Sequence, residues 1–328
     1  MIYISDFREG MNVSGVYLCK SKSILLSKAG KEYASLNLID KSGKIDAKIW
    51  DLNSPGIGDF EVLDYIDIQA DVITFNGSKQ LNVKRARIAR EGEYIESDYL
   101  PSSEYDIEKM YELLLKFIKS IKNVYLNKLL QEFFVEDSEF IASFKYSSAA
   151  RTIHHGFIGG LLEHTLGLTN LCNYLSKAYP IINRDLLITS AILHDIGKIK
   201  ELSKFPANDY TDEGQLLGHI VIGYSMIMEK AKNIKDFPED ILNQLGHCIL
   251  SHHGELEYGS PKKPVLVEAM ALSLADNLDA KMETMKELLD KASFCSEWLG
   301  YNKMFETNIR RTTIQDEEWS NRIKASDL

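Results

Sequence analysis

The sequence predicts a two-part chain, a small five-stranded β-barrel followed by an all-α helical bundle. Three observations predict it. Apolar residues alternate at a period of two up to about residue 95. From about residue 104 the apolar spacing changes to three and four. Finally, all eight histidines (154, 155, 164, 194, 219, 247, 252 and 253) fall in the second part and none in the first. A length of 328 residues suits two domains. With 45% hydrophobic and 26% charged residues, the composition is ordinary globular usage and excludes a disordered, collagen-like or coiled-coil chain.

The barrel strands are expected at Val16 to Lys20, Tyr33 to Ile39, Ile45 to Trp50, Tyr65 to Phe75 and Gln80 to Ile88. Turn chemistry separates them: Ala29-Gly30, Lys41 to Lys44, Pro55-Gly56 and Asn76-Gly77. The last pair is a strong hairpin signal, because both central positions of a type I′ turn need positive φ. Five short strands in this span suit an OB-fold. In IDAKIW, Ile45, Ala47 and Ile49 share one face, while Asp46, Lys48 and Trp50 share the other. An outward Trp50 beside Lys48 suits a stacking platform for a nucleic-acid base, and equally suits a covered barrel edge. The run KRARIAR adds Lys84 and Arg85 as candidate phosphate contacts; a charged, solvated strand edge explains them equally well.

Helices are expected from 107 to 121, where Ile107, Met110, Leu113, Leu114, Phe117, Ile118 and Ile121 recur, then near 124–135 and 138–146. The polar stretch EGEYIESDYLPSSE marks the boundary. The net charge is −10 with a pI near 5.4, which excludes a protein that coats nucleic acid through bulk positive charge. Residues 1–100 are nearly balanced, 13 basic against 15 acidic, so the acidic excess lies mainly after them. Four cysteines (19, 172, 248 and 295) without a CxxC pair read as reduced, buried thiols. The N-terminus MIYISDFREG does not read as a signal peptide, and no apolar run is long enough for a membrane helix. A cytoplasmic protein is expected.

The central motif is LLITSAILHDIGK, an apolar helix ending in His194 and Asp195 with Lys198 three residues on. Around it stand His164 in GGLLEHT, His219 in GHIVIGY, His252 and His253 in SHHGE, and Asp276 in LSLADNLDAK. Helices that each donate an imidazole or carboxylate to one interior point build a metal site in a bundle. Nitrogen and carboxylate donors without thiolate suit Mn²⁺, Fe²⁺, Zn²⁺ or Co²⁺. Asp195 has two oxygens and could bridge two ions; Lys198 could meet a phosphate oxygen.

This set resembles the HD-domain metal-dependent phosphohydrolases in their two-metal form. GGLLEHT, LHDIGK, SHHGE with the GSPKKP that follows, and KEYASLNLIDKSGKIDAKIWD in the first domain resemble the YhaM-type 3′–5′ exoribonucleases, over roughly residues 1–310. The resemblance implies an OB-fold nucleic-acid-binding domain at 1–95, a linker and lead-in helices at 96–150, an HD domain at 151–311 and a polar tail at 312–328. It implies that His164, His194, Asp195 and Asp276 hold one ion and that Asp195 bridges to a second held by His219, His252 and His253. Mn²⁺ is the leading cofactor, with Co²⁺, Fe²⁺ and Zn²⁺ as alternatives. Catalysis would fall to Asp195 and Lys198, and substrate contacts to His154 and His155 as well as Trp50, Lys48, Lys84 and Arg85. The substrate implied is single-stranded RNA, with single-stranded DNA as a further candidate; no membrane is expected as a partner, and a homo-oligomer stays open. GELEYGSPKKP lacks the Gly-Tyr-Pro signature of the cyclic-dinucleotide branch, which counts against that reading. The competing readings are a nucleotide or cyclic-nucleotide phosphohydrolase with a regulatory barrel, and a replication-associated DNA-binding protein. His247 and Glu163 read as supporting residues rather than ligands.

Overall fold

A computed structural model describes the chain except residues 1, 28–29, 76, 101, 152–154, 292–296 and 313–328. Asn76, His154, Cys295 and almost all of the expected polar tail therefore lie outside the described residues. The chain divides into two compact units, Met1–Ser102 with Phe205–Ala207, and Ser103–Lys204 with Asn208–Leu328.

The first unit is a closed barrel. Its strands are β1 (Asn12–Leu26), β2 (Glu32–Asp40), β3 (Gly43–Ile49), β4 (Tyr65–Phe75) and β5 (Ser78–Ile88), in the order β1-β2-β3-β5-β4. Closure comes from β1, which pairs with β4 along Asn12 to Leu18 and with β2 along Leu18 to Leu26. A register shift between Cys19 and Ser21 lets one long strand turn from one partner to the other. The β3–β5 ladder is parallel and the others are antiparallel. Alternation sets the faces: Ile45, Ala47 and Ile49 are buried with Leu36, Leu38, Ile66, Ile68 and Leu81, while Trp50 is exposed. Residues just after the barrel stay with it, because Tyr94 stacks on Tyr65 at 3.9 Å and Tyr99 meets the same ring edge-on at 5.1 Å.

The second unit contains α1 (Ile107–Ser120), α2 (Val124–Phe134), α3 (Ser138–Tyr146), α4 (Gly160–Ala178), α5 (Arg184–Leu193), α6 (Lys198–Glu201), α7 (Asp212–Ala231), α8 (Glu239–Leu250) and α9 (Val267–Lys291). Side chains at the N-caps start several of them: Asp106, Asn123, Asp137, Asn183 and Thr211 each accept from backbone N–H groups of the first turn. Helix α5 is buried on every side from Leu186 to Leu193, which makes it the axis of the unit. Helices α1 to α3 share its core rather than acting as a connector: Leu114, Leu130 and Phe134 belong to the same cluster as Leu187 and Ile192.

A short hairpin, β6 (Trp298–Asn302) and β7 (Thr307–Arg310), departs from the expected all-α bundle. Its turn is held by Asn302 Oδ1, which accepts from the N–H groups of Met304 and Phe305. Strands this short carry too few alternating positions to register as a pattern. All three cysteines among the described residues are free and buried. No described helix is long and apolar enough to cross a membrane.

Phe134 is 1% exposed and packs edge-on against Phe140 and Phe144 at 5.2 and 5.0 Å. Phe134→Ala should therefore destabilise the helical unit by about 3–5 kcal/mol. Urea unfolding followed by far-UV circular dichroism checks this, and a loss below about 1 kcal/mol would contradict the packing described.

Candidate metal centre

The end of α5 delivers His194 and Asp195 into the interior, where they are 0% and 3% exposed. Gly197 follows because another backbone passes there: a Cβ on it would lie 2.0 Å from the His219 carbonyl oxygen and 2.7 Å from the Gly223 nitrogen. That close approach carries His219 of α7 to Asp195. Helix α4 contributes His164, the turn after α8 contributes His252 and His253, and α9 contributes Asp276.

Asp195 divides the cluster. Its Oδ2 lies 3.2 Å from His194 Nε2 and 3.7 Å from His164 Nε2, and Asp276 Oδ1 lies 3.2 Å from the same His164 nitrogen. Its Oδ1 faces the other way, 3.4 Å from His219 Nε2 and 3.7 Å from His252 Nε2. Potential ligand atoms of His164, His194 and Asp276 converge on one point, and those of His219, His252 and His253 on another. Lys198 Nζ sits 2.6 Å from Asp195 Oδ2.

Each of the five imidazoles is held by its far nitrogen. Nδ1 of His194, His252 and His253 lies 2.9, 2.7 and 2.7 Å from the carbonyl oxygens of Ala191, Ile249 and Tyr258. Nδ1 of His164 and His219 lies 2.7 and 2.9 Å from the carboxylates of Asp279 and Glu201. A carbonyl or ionised carboxylate can only accept, so every Nδ1 carries the proton. In the neutral ring Nε2 then bears a lone pair aimed at the centre.

Asp195 Oδ1, His219 Nε2 and His252 Nε2 are buried without a hydrogen-bond partner. Buried polar atoms without partners are costly, and a cation is what three converging lone pairs would satisfy. The 3.1 Å separation of the Nε2 atoms of His164 and His194 also suits two ligands of one ion, each roughly 2 Å from it. The residues present fit a pair of divalent cations.

The electrostatics of the metal-free centre differ between its two halves. Burial opposes charge on His164, but the hydrogen-bonded carboxylates of Asp276 and Asp279 outweigh it and push its pKa up to about 10. Burial would raise the Asp195 carboxyl, yet His194, Lys198 and His219 hold it well below the usual range. Asp276 and Asp279 are depressed in the same manner, against burial, by His164 and its neighbours. Burial pushes His252 and His253 down, favouring the neutral ring that a metal needs.

Other expected site residues are placed as follows. His155 is buried, its Nε2 3.6 Å from Asp279 and its Nδ1 3.7 Å from Glu163; His154 lies outside the described residues. Glu163 accepts from the Ser103 hydroxyl, and His247 Nε2 accepts from the Val265 N–H, so both are tied to structure. On the barrel, Trp50 is 46% exposed and stacks on Tyr33 at 4.7 Å. Lys48 bonds the Ser35 hydroxyl and lies over the Tyr33 ring at 5.9 Å. Lys84 pairs with Asp71, and Arg85 is exposed on the same strand. Sequence reasoning missed three participants: Asp279, Glu201 and Tyr33. Asp279 stands one helical turn after Asp276, the one signal that could have found it.

The HD domain family matches residues 161–281, the span that contributes every residue of this cluster. The 3′–5′ exoribonuclease YhaM of Bacillus subtilis (strain 168) is 36% identical over 283 residues, 86% of this chain and 89% of the relative. Its namesake in Geobacillus sp. (strain WCH70) is 35% identical over 289 residues, 88% of each. The chain belongs to the YhaM family. Among solved structures, the second OB-fold domain of replication protein A from Methanococcus maripaludis is 17% identical with a TM-score of 0.23. It covers 28% of this chain and 96% of that one, a likeness that carries no functional weight. The closed barrel and HD bundle of this YhaM-family chain thus account for its two-part architecture, and HD membership implies dependence on divalent metal.

In chelator, the His164 ion pairs stabilise the fold fully below the ring's ordinary pKa of 6.5, and that contribution is lost as pH rises through about 10. The melting temperature of the metal-free protein should therefore fall from pH 6.5 upward, and Asp279→Asn should flatten the slope. An unchanged slope in that variant would count against the assignment.

Proposed function

We propose that this protein is a divalent-metal-dependent 3′–5′ exoribonuclease that removes nucleoside monophosphates from single-stranded RNA, and from single-stranded DNA where offered, by two-metal phosphodiester hydrolysis. The observation that carries the reading is the division of Asp195, with one oxygen toward His164, His194 and Asp276 and the other toward His219 and His252. Relatives that span nearly the same length bear the name 3′–5′ exoribonuclease, which supports the reaction and its direction. Mn²⁺ suits the mixed nitrogen and carboxylate donors, with Co²⁺, Fe²⁺ and Zn²⁺ as alternatives.

Four carboxylates touch the ligand histidines (Asp195, Asp276, Asp279 and Glu201), against the single ammonium of Lys198. Two divalent cations would turn that net deficit of three charges into a surplus of one, which attracts a phosphodiester anion. Bound divalent cations supply Lewis acidity, neutralising phosphate charge and lowering the pKa of attacking water. The five histidines contribute fixed geometry, since each Nδ1 is anchored before substrate arrives. Lys198, part-exposed beside Asp195, can place its ammonium on a non-bridging phosphate oxygen. Trp50 and Tyr33 present stacked rings beside Lys48 for a base and its phosphate, with His155, Lys84 and Arg85 as further contacts.

With Mn²⁺, a 5′-labelled RNA oligonucleotide should shorten to a ladder from its 3′ end. Asp195→Ala should abolish the ladder, a fall of at least about 10³-fold, while leaving strand binding largely intact. Internal cuts, or full activity in that variant, would overturn the proposal. Trp50→Ala should weaken single-strand binding by about 1–3 kcal/mol in a fluorescence titration. Undiminished affinity would remove Trp50 from the substrate path.

A further inference from the structure

Helix α7 is interrupted at Gly218, whose φ of 72° and ψ of 155° leave the helical region. His219 therefore opens a second helical run, and its backbone N–H loses the acceptor that an unbroken helix would supply. One atom meets both needs of this residue. Glu201 Oε1 accepts from the His219 backbone N–H at 2.9 Å and from its Nδ1 at 2.9 Å. The carboxylate is itself immobilised. Glu201 is 8% exposed, and its carbonyl oxygen accepts from the Thr211 N–H, while Thr211 caps the start of α7 through the Gly214 N–H. Gly214 lies so near that a Cβ there would stand 2.3 Å from the Glu201 carbonyl oxygen.

We propose that Glu201 is a positioning residue that sets cation affinity in the His219–His252–His253 half of the centre without touching the cation. The inference rests on the two-cation reading above. His252 and His253 are held by neutral peptide carbonyls, whereas His219 has an anionic acceptor, which raises the basicity of Nε2. Capture of both the ring and the main chain by one oxygen fixes how far α7 stands from Asp195 as well as the ring's rotation. The other half has its own carboxylate: Asp279, on α9, holds His164. Loss of Glu201 should therefore be felt on one side of Asp195 only. Five residues separate Asp195 from Glu201, so HDIGKIKE carries a ligand, the bridging carboxylate, the ammonium and the clamp.

The test is a calorimetric titration of Mn²⁺ into metal-free wild type, Glu201→Ala, Glu201→Gln, His219→Ala and the His219→Ala/Glu201→Ala double variant. Wild type should take up two ions. Glu201→Ala should keep one at wild-type affinity and bind the other about 10–100-fold more weakly. Glu201→Gln, which keeps an uncharged acceptor of the same shape, should fall between, and it carries the test if the alanine variant does not fold. Adding Glu201→Ala to His219→Ala should change nothing further. Uptake of fewer than two ions by wild type would overturn the two-cation reading itself. Two ions in wild type, with both bound normally or both weakened equally in the Glu201 variants, would overturn the role of Glu201 alone.

Discussion

A single buried carboxylate organises the helical unit. Asp195 is 3% exposed, and an ionised group at that depth persists only if the protein surrounds it with compensating charge and hydrogen-bond donors. The chain does so from all sides. Lys198 follows on the same stretch, and His194 precedes it. His164 arrives from α4, His219 from α7 and His252 from the turn after α8. The apolar axis α5 puts the carboxylate at the centre, and Gly197 removes the side chain that would keep α7 away. Packing and chemistry are the same problem here.

Each half of the centre solves the same orientation problem with two kinds of acceptor, peptide carbonyls and one carboxylate. Peptide carbonyls at the ends of α5 and α8 hold His194 and His252, so those rings are fixed by the way their helices stop. His164 sits inside α4, where the carbonyls of the preceding turn serve the helix, and His219 opens the second run of α7, so each takes a carboxylate from another element. That difference explains why the two residues missed at this centre, Asp279 and Glu201, are acidic and why one lies on each side of Asp195.

The barrel was legible from Ile45, Ala47 and Ile49 and from the Asn76-Gly77 hairpin, because a period of two and a turn needing positive φ are local properties. The helices up to Tyr146 were legible for the same reason. The convergence of these His and Asp side chains could be read because each sits in a distinctive run, and resemblance arranged those runs. Contacts made across elements were not legible. Nothing near Glu201 announces that α7 breaks at Gly218 and brings His219 onto it, nor does Tyr33 announce its stacking on Trp50. The pairing of Lys84 with Asp71 likewise depends on the β4–β5 ladder, and it moderates the free charge that the basic run suggests.

Two divalent cations would share Asp195, one at each carboxylate oxygen. Anomalous diffraction from crystals grown with Mn²⁺ would locate them. Two peaks are expected about 3.5–4 Å apart on opposite sides of Asp195, one among His164, His194 and Asp276 and the other among His219, His252 and His253. A single peak, or peaks that do not share Asp195, would contradict that arrangement.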